Sequence, residues 1–347
     1  PPPPPPPPLF FSPPPPHPPI PLRLVGSEMC IRDRIRVAGT PIVSQLIYEI
    51  VKAVDDPITD IGFIIGNPAF FGVDVVTYLK ELAKELGAKP HIFRQDHPLG
   101  TGHAIMCAER LLGGPAIIAY PDTLIRSKLK LDPKADAVIW VKRVSRPEAF
   151  GVVALDKKRR IINLVEKPKE FVSDLAVIGI YYFKNSEDLK EALKKVVAQD
   201  LLPGEEYQIN HGIHTMIKSG SVFKTGEVQI WMDCGNPEVT LGTNSEMLEI
   251  KKAEGENLQH SSAELNNSII IPPCFIGENV KIKNSTIGPG VSIGERTQID
   301  NCQLKNCLIQ NDSYLENLTL EKAMIGNQVH YKGNSTFVSI GDYSHLQ

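Results

Sequence analysis

From residue 270 onward one aliphatic side chain returns every six positions, and few sequence features restrict a fold as severely. Ile270, Ile276 and Ile282 keep the step, and Ile287, Ile293 and Ile299 resume it after a slip of one residue. The segments IGENVK, IGPGVS and IGERTQ repeat one hexapeptide pattern, which Ile325-Gly326 and Tyr331 extend weakly. Six residues per flat face with one inward aliphatic predict a β-helical prism over residues 268–340. It would have about four coils, left-handed as proteins with this repeat are. His330 and His345 are the only histidines beyond residue 268, so the prism reads as an assembly or capping domain rather than an acyltransferase. Such prisms commonly self-associate, so a homo-oligomer through this domain is an expected partner arrangement.

Ahead of the prism, strands alternate with helices. Pro41 opens a helix whose apolar stripe is Ile42, Val43, Leu46, Ile47, Ile50, Val51 and Val54. Ile61 to Ile65 is a buried strand, and Val73 to Leu86 a second helix ended by Gly87. The alternation predicts an α/β domain over residues 35–253, with a Rossmann-like, doubly wound, mostly parallel sheet. A polar connector at 254–267 leads into the prism.

Residues 94–125 are the most informative stretch. His91 to Phe93 close a strand, Pro98 to Gly102 form a turn with two φ-permissive glycines, Ala104 to Leu112 are helical, and Ala116 to Tyr120 are a short buried strand. Asp122 then emerges where open α/β sheets bind ligands, beyond the carboxyl end of a strand. Much later, Ile230-Trp231-Met232-Asp233 again reads as a strand ending in a carboxylate. Each Asp alone could be a turn or helix cap. Together the two can share one hard divalent cation, which prefers oxygen ligands and keeps water and substrate phosphates around it.

A net charge of −3 argues against a nucleic-acid polymer as partner, since phosphate backbones are held by basic patches. A single nucleotide needs only a few aimed donors. Six cysteines without a CxxC pair, no stretch that reads as a secretory leader, and no apolar run of bilayer length predict free thiols in a reducing cytoplasm and no membrane partner. Cys234 reads as a small buried residue despite its acidic neighbour. Half of the chain's 30 prolines fall within the first 21 residues, and residues 1–34 are expected to be a disordered or non-native lead.

QxxPLGTxHA, an Asp at the next strand end, FGVV, VEKPKE, SDLAVIGIYYF and WxDCGN stand here in the order found in sugar-phosphate nucleotidyltransferases, which the chain resembles over roughly residues 35–250. That family includes glucose-1-phosphate thymidylyl-, uridylyl- and adenylyltransferases and mannose-1-phosphate guanylyltransferases. The resemblance implies transfer of a nucleotidyl group from a nucleoside triphosphate, UTP or dTTP on the strength of Gln95, to a sugar 1-phosphate. It implies Mg²⁺ on Asp122 and Asp233, and Gln95, Gly100 and Thr101 around the nucleotide. Gly151, Glu166 and Val177 would line the sugar site, and Lys167 would contact the sugar's phosphate.

Three departures accompany the resemblance. The family's opening strand and glycine-rich loop, approximately GxGTRLxPxT, is absent, so the domain is expected to lack its first strand and to turn over slowly. Asn210-His211 stand where relatives commonly carry Thr-Asp, and Pro121 where many have Gly. His103 on the first helical turn is read as packing or capping. Two rival functions remain: a sugar-nucleotide-binding regulatory subunit, and a hexapeptide acyltransferase.

Overall fold

Burial of strands on both faces calls for helices on both faces, and the chain supplies them. The computed structural model describes residues 35–68, 71–198 and 206–333, together with the backbone of Leu22–Val25, Ser339–Ile340 and His345–Leu346. Among the described residues nine strands form the main sheet. Their order is Ile161–Glu166, Gly151–Leu155, Leu175–Phe183, Ala116–Ala119, Leu22–Val25, Asp60–Ile65 and Lys89–Arg94. Ala137–Arg143 also pairs with Leu175–Phe183 and carries Phe223–Glu227 on its other edge. The half from Ala116–Ala119 to Lys89–Arg94 is parallel, whereas Leu175–Phe183 runs antiparallel to its neighbours.

Side chains alternate across this sheet with the period of two that strands impose. Ile61, Phe63, Ile65 and Ile117 pack with helices Ile42–Ala53 and Val73–Glu85, while Ile64 and Ile118 face helices Thr101–Cys107, Ser186–Val197 and Ile209–Lys218. The helix beginning at Ser186 is capped by Asn185, whose side chain accepts from the Glu187 N–H at 3.3 Å. No helix among the described residues is long and apolar enough to cross a membrane.

The structure corrects the reading of residues 1–34 at one place. Leu22–Val25 lies in the centre of the sheet, parallel to both Asp60–Ile65 and Ala116–Ala119. Without it those two strands would leave inner-edge N–H and C=O groups unpaired in the middle of a buried sheet. The short Leu-Arg-Leu-Val run was masked in the sequence by the prolines before it. The domain therefore has its central strand, and the rest of the lead lies outside the described residues.

Gly226 makes the close packing of the parallel pair Ala137–Arg143 and Phe223–Glu227 testable. It stands opposite Trp140, which is fully buried, and a Cβ at Gly226 would overlap the indole ring. Gly226→Ala is expected to destabilise the domain by about 1–3 kcal/mol, the cost of overpacking a rigid core, seen as a lower thermal midpoint.

The prism forms as three stacked parallel sheets with its aliphatics in columns, such as Ile282, Ile299, Leu315 and Tyr331. Corner asparagines adopt positive φ and bond between coils, Asn267 to Asn284 at 2.9 Å and Asn301 to Asn317 at 2.7 Å. These pairs are separated by 17 and then 16 residues, short of three full hexapeptides, which explains the slip in the isoleucine spacing. Later coils use Leu304, Leu315 and Leu320 in the inward columns, so the isoleucine signal fades there. The first coil already begins at Glu264–Asn266, paired with Lys281–Lys283, inside the stretch expected to be connector.

Candidate active site

Asp122 and Asp233 meet on a separate ribbon of two strands. Ile230–Asp233 runs antiparallel to Thr123–Arg126 with Asp233 opposite Thr123, and the Cys234 N–H donates to the Asp122 carbonyl at 2.8 Å. Asp233 is held in its turn by the Gly235 N–H, which donates to Oδ1 at 2.7 Å. Cys234 follows Asp233 directly and is buried. Burial first, then the charges of Asp233 and Asp122, push its thiol up to about 12. A thiol so raised stays protonated and unreactive. Cys234 is therefore expected to resist alkylation in the folded protein at pH 8, measured by peptide mass spectrometry, and to react once the chain is unfolded.

Both carboxylates open into a cleft of about 430 Å³. Gly151, Glu166, Lys167 and Val177 line the same cleft, so six of the residues singled out in the sequence share one cavity. Glu166 pairs with Gly151 in their ladder, and a Cβ on Gly151 would lie 2.8 Å from Glu166 Oε2. The missing side chain thus gives room to the carboxylate itself. Lys167 takes a φ of 42°, uncommon for a non-glycine residue, while its N–H donates to the Phe150 carbonyl at 3.1 Å. That turn brings Lys167 to the cleft.

Aromatic walls were missed in the sequence. Phe150 and Trp231 meet edge to face with centroids 5.3 Å apart, and Trp231 Nε1 donates to Thr123 Oγ1 at 2.5 Å. Tyr120 and Tyr181 make a second edge-to-face pair at 5.9 Å. All four line the cleft. A signal for Trp231 was available, since it stands two residues before Asp233 in a strand and so shares its face. Leu175–Phe183 bulges between Val177 and Tyr181, with Gly179 at φ 77° and its carbonyl accepting from the Tyr120 N–H at 3.0 Å. This irregularity leaves Gly179 out of the ladder with Ala137–Arg143, and it lines the cavity beside Val177, the last paired residue before the bulge.

Gln95, Gly100 and Thr101 are not among the residues lining this cleft. Gln95 is buried, and its Nε2 donates to the Gly100 carbonyl at 3.0 Å and to His103 Nδ1 at 3.1 Å. Burial, then the charge of His97, lowers the His103 pKa, which suits an imidazole accepting at Nδ1. At Gly100 the close backbone approach is to protein: φ is 102° and a Cβ would lie 2.7 Å from the Tyr207 carbonyl. Thr101 Oγ1 accepts from the Ile209 N–H at 3.0 Å. The turn is therefore docked on the chain around residues 206–209.

Asn210 lines the cleft, while His211 forms a capping box with Gln208 at the start of its helix, as a structural rather than a metal-binding histidine. Among the described residues no three or more His, Cys, Asp or Glu side chains gather as a metal cluster. Asp122 and Asp233 are two carboxylates that line the same cleft.

The nucleotidyl transferase family model matches residues 35–249. A glucose-1-phosphate thymidylyltransferase of Streptomyces antibioticus is 28% identical over 91% of this chain and 93% of its own. The low-salt glycan biosynthesis nucleotidyltransferase Agl11 of Haloferax volcanii is 24% identical over 91% and 94%. Both alignments run far beyond the α/β domain. Two solved structures share the fold. One is a nucleoside-diphosphate-sugar pyrophosphorylase from Vibrio cholerae (TM-score 0.54, 17% identity, 65% of this chain and 99% of that one). The other is a UDP-glucose pyrophosphorylase complexed with UDP-glucose (0.52, 18%, 67% and 99%). With the family match running from the hairpin at Arg36 into the helix behind Asp233, the chain belongs to the nucleotidyl transferase family.

Proposed function

We propose that this chain transfers a nucleotidyl group from a nucleoside triphosphate to a sugar 1-phosphate. The observation that carries the reading is that Asp122, Asp233, Glu166 and Lys167, drawn from distant parts of the sequence, share one cleft. A phosphate oxygen of the sugar 1-phosphate attacks the α-phosphorus, the bond to the β-phosphate oxygen breaks, and pyrophosphate leaves. The nucleophile is already ionised, so no general base is required. The barrier lies in holding two anions side by side, and catalysis becomes a matter of positioning and charge.

Lys167 supplies a fixed ammonium for the sugar's phosphate, and Glu166 accepts from sugar hydroxyls. Phe150 and Trp231 offer apolar faces to the ring carbons, and Asn210 an uncharged amide. Asp122 and Asp233 fit Mg²⁺ by the chemistry of their hard carboxylate oxygens and would hold it in the cleft. When bound, the ion neutralises phosphate charge. Gln95 supports UTP or dTTP: with both Nε2 hydrogens used inside the loop, its carbonyl oxygen is left as the acceptor for the N3–H of uracil or thymine. The free thiols of Cys107, Cys234, Cys274, Cys302 and Cys307 support a reducing cytoplasm, and the prism supports assembly into a homo-oligomer.

The test is formation of sugar nucleotide from glucose 1-phosphate with each of UTP, dTTP, ATP and GTP in the presence of Mg²⁺. Product from UTP or dTTP above the other two, and none without the metal, is expected. No product from any of the four, with the sugar nucleotide still bound tightly, would instead make the chain a regulatory binding subunit.

A further inference from the structure

The ribbon bearing Asp122 and Asp233 shares no ladder with the nine-stranded sheet among the described residues. Two strands alone are marginally stable, so the placement of both carboxylates depends on what packs against the ribbon. The helix Pro237–Ala253 does so through hydroxyls. Thr243 Oγ1 donates to the Asp233 carbonyl at 2.6 Å, and Thr240 Oγ1 shares its proton between the Asn236 carbonyl at 2.7 Å and the Cys234 carbonyl at 3.2 Å, both from buried side chains.

The residue after Thr243 ties the same helix to the prism. Asn244 is fully buried. Its Oδ1 accepts from Ser292 Oγ at 2.7 Å and from the Ala38 N–H at 2.9 Å, while Nδ2 donates to the Gly290 carbonyl at 3.1 Å. Gly290 and Ser292 belong to the prism, and Ala38 to the hairpin Arg36–Pro41. That hairpin is itself anchored on the prism, where the Arg36 N–H donates to Gln310 Oε1 at 3.0 Å and Gly39 sits against the Phe275 ring. A buried amide satisfied from two other parts of the fold fixes geometry more than it adds stability.

We infer that Thr243 and Asn244 make the prism a positioning element for the metal-binding carboxylates. Asn244 sets the helix on the prism, and Thr243, one residue earlier, sets the strand end that carries Asp233. The inference rests on the reading that Asp122 and Asp233 hold the cation.

Mn²⁺ titrated into the full chain, with free Mn²⁺ followed by electron paramagnetic resonance and unfolding followed in parallel, separates the two ideas. Loss of binding in the double variant Asp122→Asn, Asp233→Asn supports the cation site, and unchanged binding there removes that site and this inference with it. Thr243→Val is expected to weaken Mn²⁺ binding about tenfold, as removal of supporting contacts behind metal ligands does, with Thr243→Ser close to the unaltered chain. Ser292→Ala, a prism residue remote in sequence from the ribbon, is expected to weaken it by a smaller factor. If Thr243→Val and Ser292→Ala bind Mn²⁺ as tightly as the unaltered chain while melting earlier, the contacts are structural only and the inference is overturned.

Discussion

Substitution of Asp122 and Asp233 together by asparagine is expected to lower nucleotidyl transfer by about three orders of magnitude or more while leaving the fold intact. Asparagine keeps the volume of aspartate, and its Oδ1 can still accept from the Gly235 N–H. What disappears is the pair of negative charges and the hard donor set for a divalent ion. The fold has no need of those charges, because two like charges brought to one cleft repel each other. Thermal stability without metal should therefore hold or rise, the signature of residues kept for function at some expense to stability. Pyrophosphate release and the melting midpoint, measured on the same preparation, check both parts. Turnover equal to the unaltered chain would sink the metal assignment.

The Asp pair was legible because each follows a short apolar strand, and the sheet rule turns a strand's carboxyl end into a ligand position. The shape of the cleft around the pair was less legible, for reasons that differ from residue to residue. Trp231 followed from the strand's period once Asp233 was placed. Gly100 and Thr101 did not, because their partners at Tyr207 and Ile209 stand about a hundred positions away, and local spacing carries no trace of them; Gln95 is drawn instead to Gly100 and His103 of its own loop. Asn244 was hidden for another reason. The helix Pro237–Ala253 buries Thr240, Thr243 and Asn244 along with Leu241, Met247 and Leu248, because it is enclosed by the ribbon, the hairpin and the prism. The helix itself, from about Pro237 to Ala253, is readable in the sequence, but a helix buried against several partners shows no clean apolar stripe, so nothing in its spacing pointed to the burial of Asn244.

Exchange of residues 26–34 for a segment of the GxGTRLxPxT pattern is expected to raise kcat/KM for the triphosphate by about two orders of magnitude, a gain of the size that one or two aimed donors contribute. Leu22–Val25 runs parallel between Asp60–Ile65 and Ala116–Ala119, so the chain leaves its carboxyl end on the side of the sheet from which Tyr120, Pro121 and Asp122 also emerge. That is where a loop of backbone N–H groups could cradle a triphosphate. Residues 26–34, Gly-Ser-Glu-Met-Cys-Ile-Arg-Asp-Arg, carry one glycine and two acidic side chains, a poor composition for a backbone that must approach phosphate oxygens closely. The exchange leaves the ribbon untouched, so Mn²⁺ affinity at Asp122 and Asp233 should stay constant while the triphosphate term improves. A rise in kcat/KM with constant metal affinity assigns the deficit of this sequence to its missing phosphate cradle. An unchanged kcat/KM would mean that the triphosphate is held elsewhere, and that the central strand has only a structural part in the site.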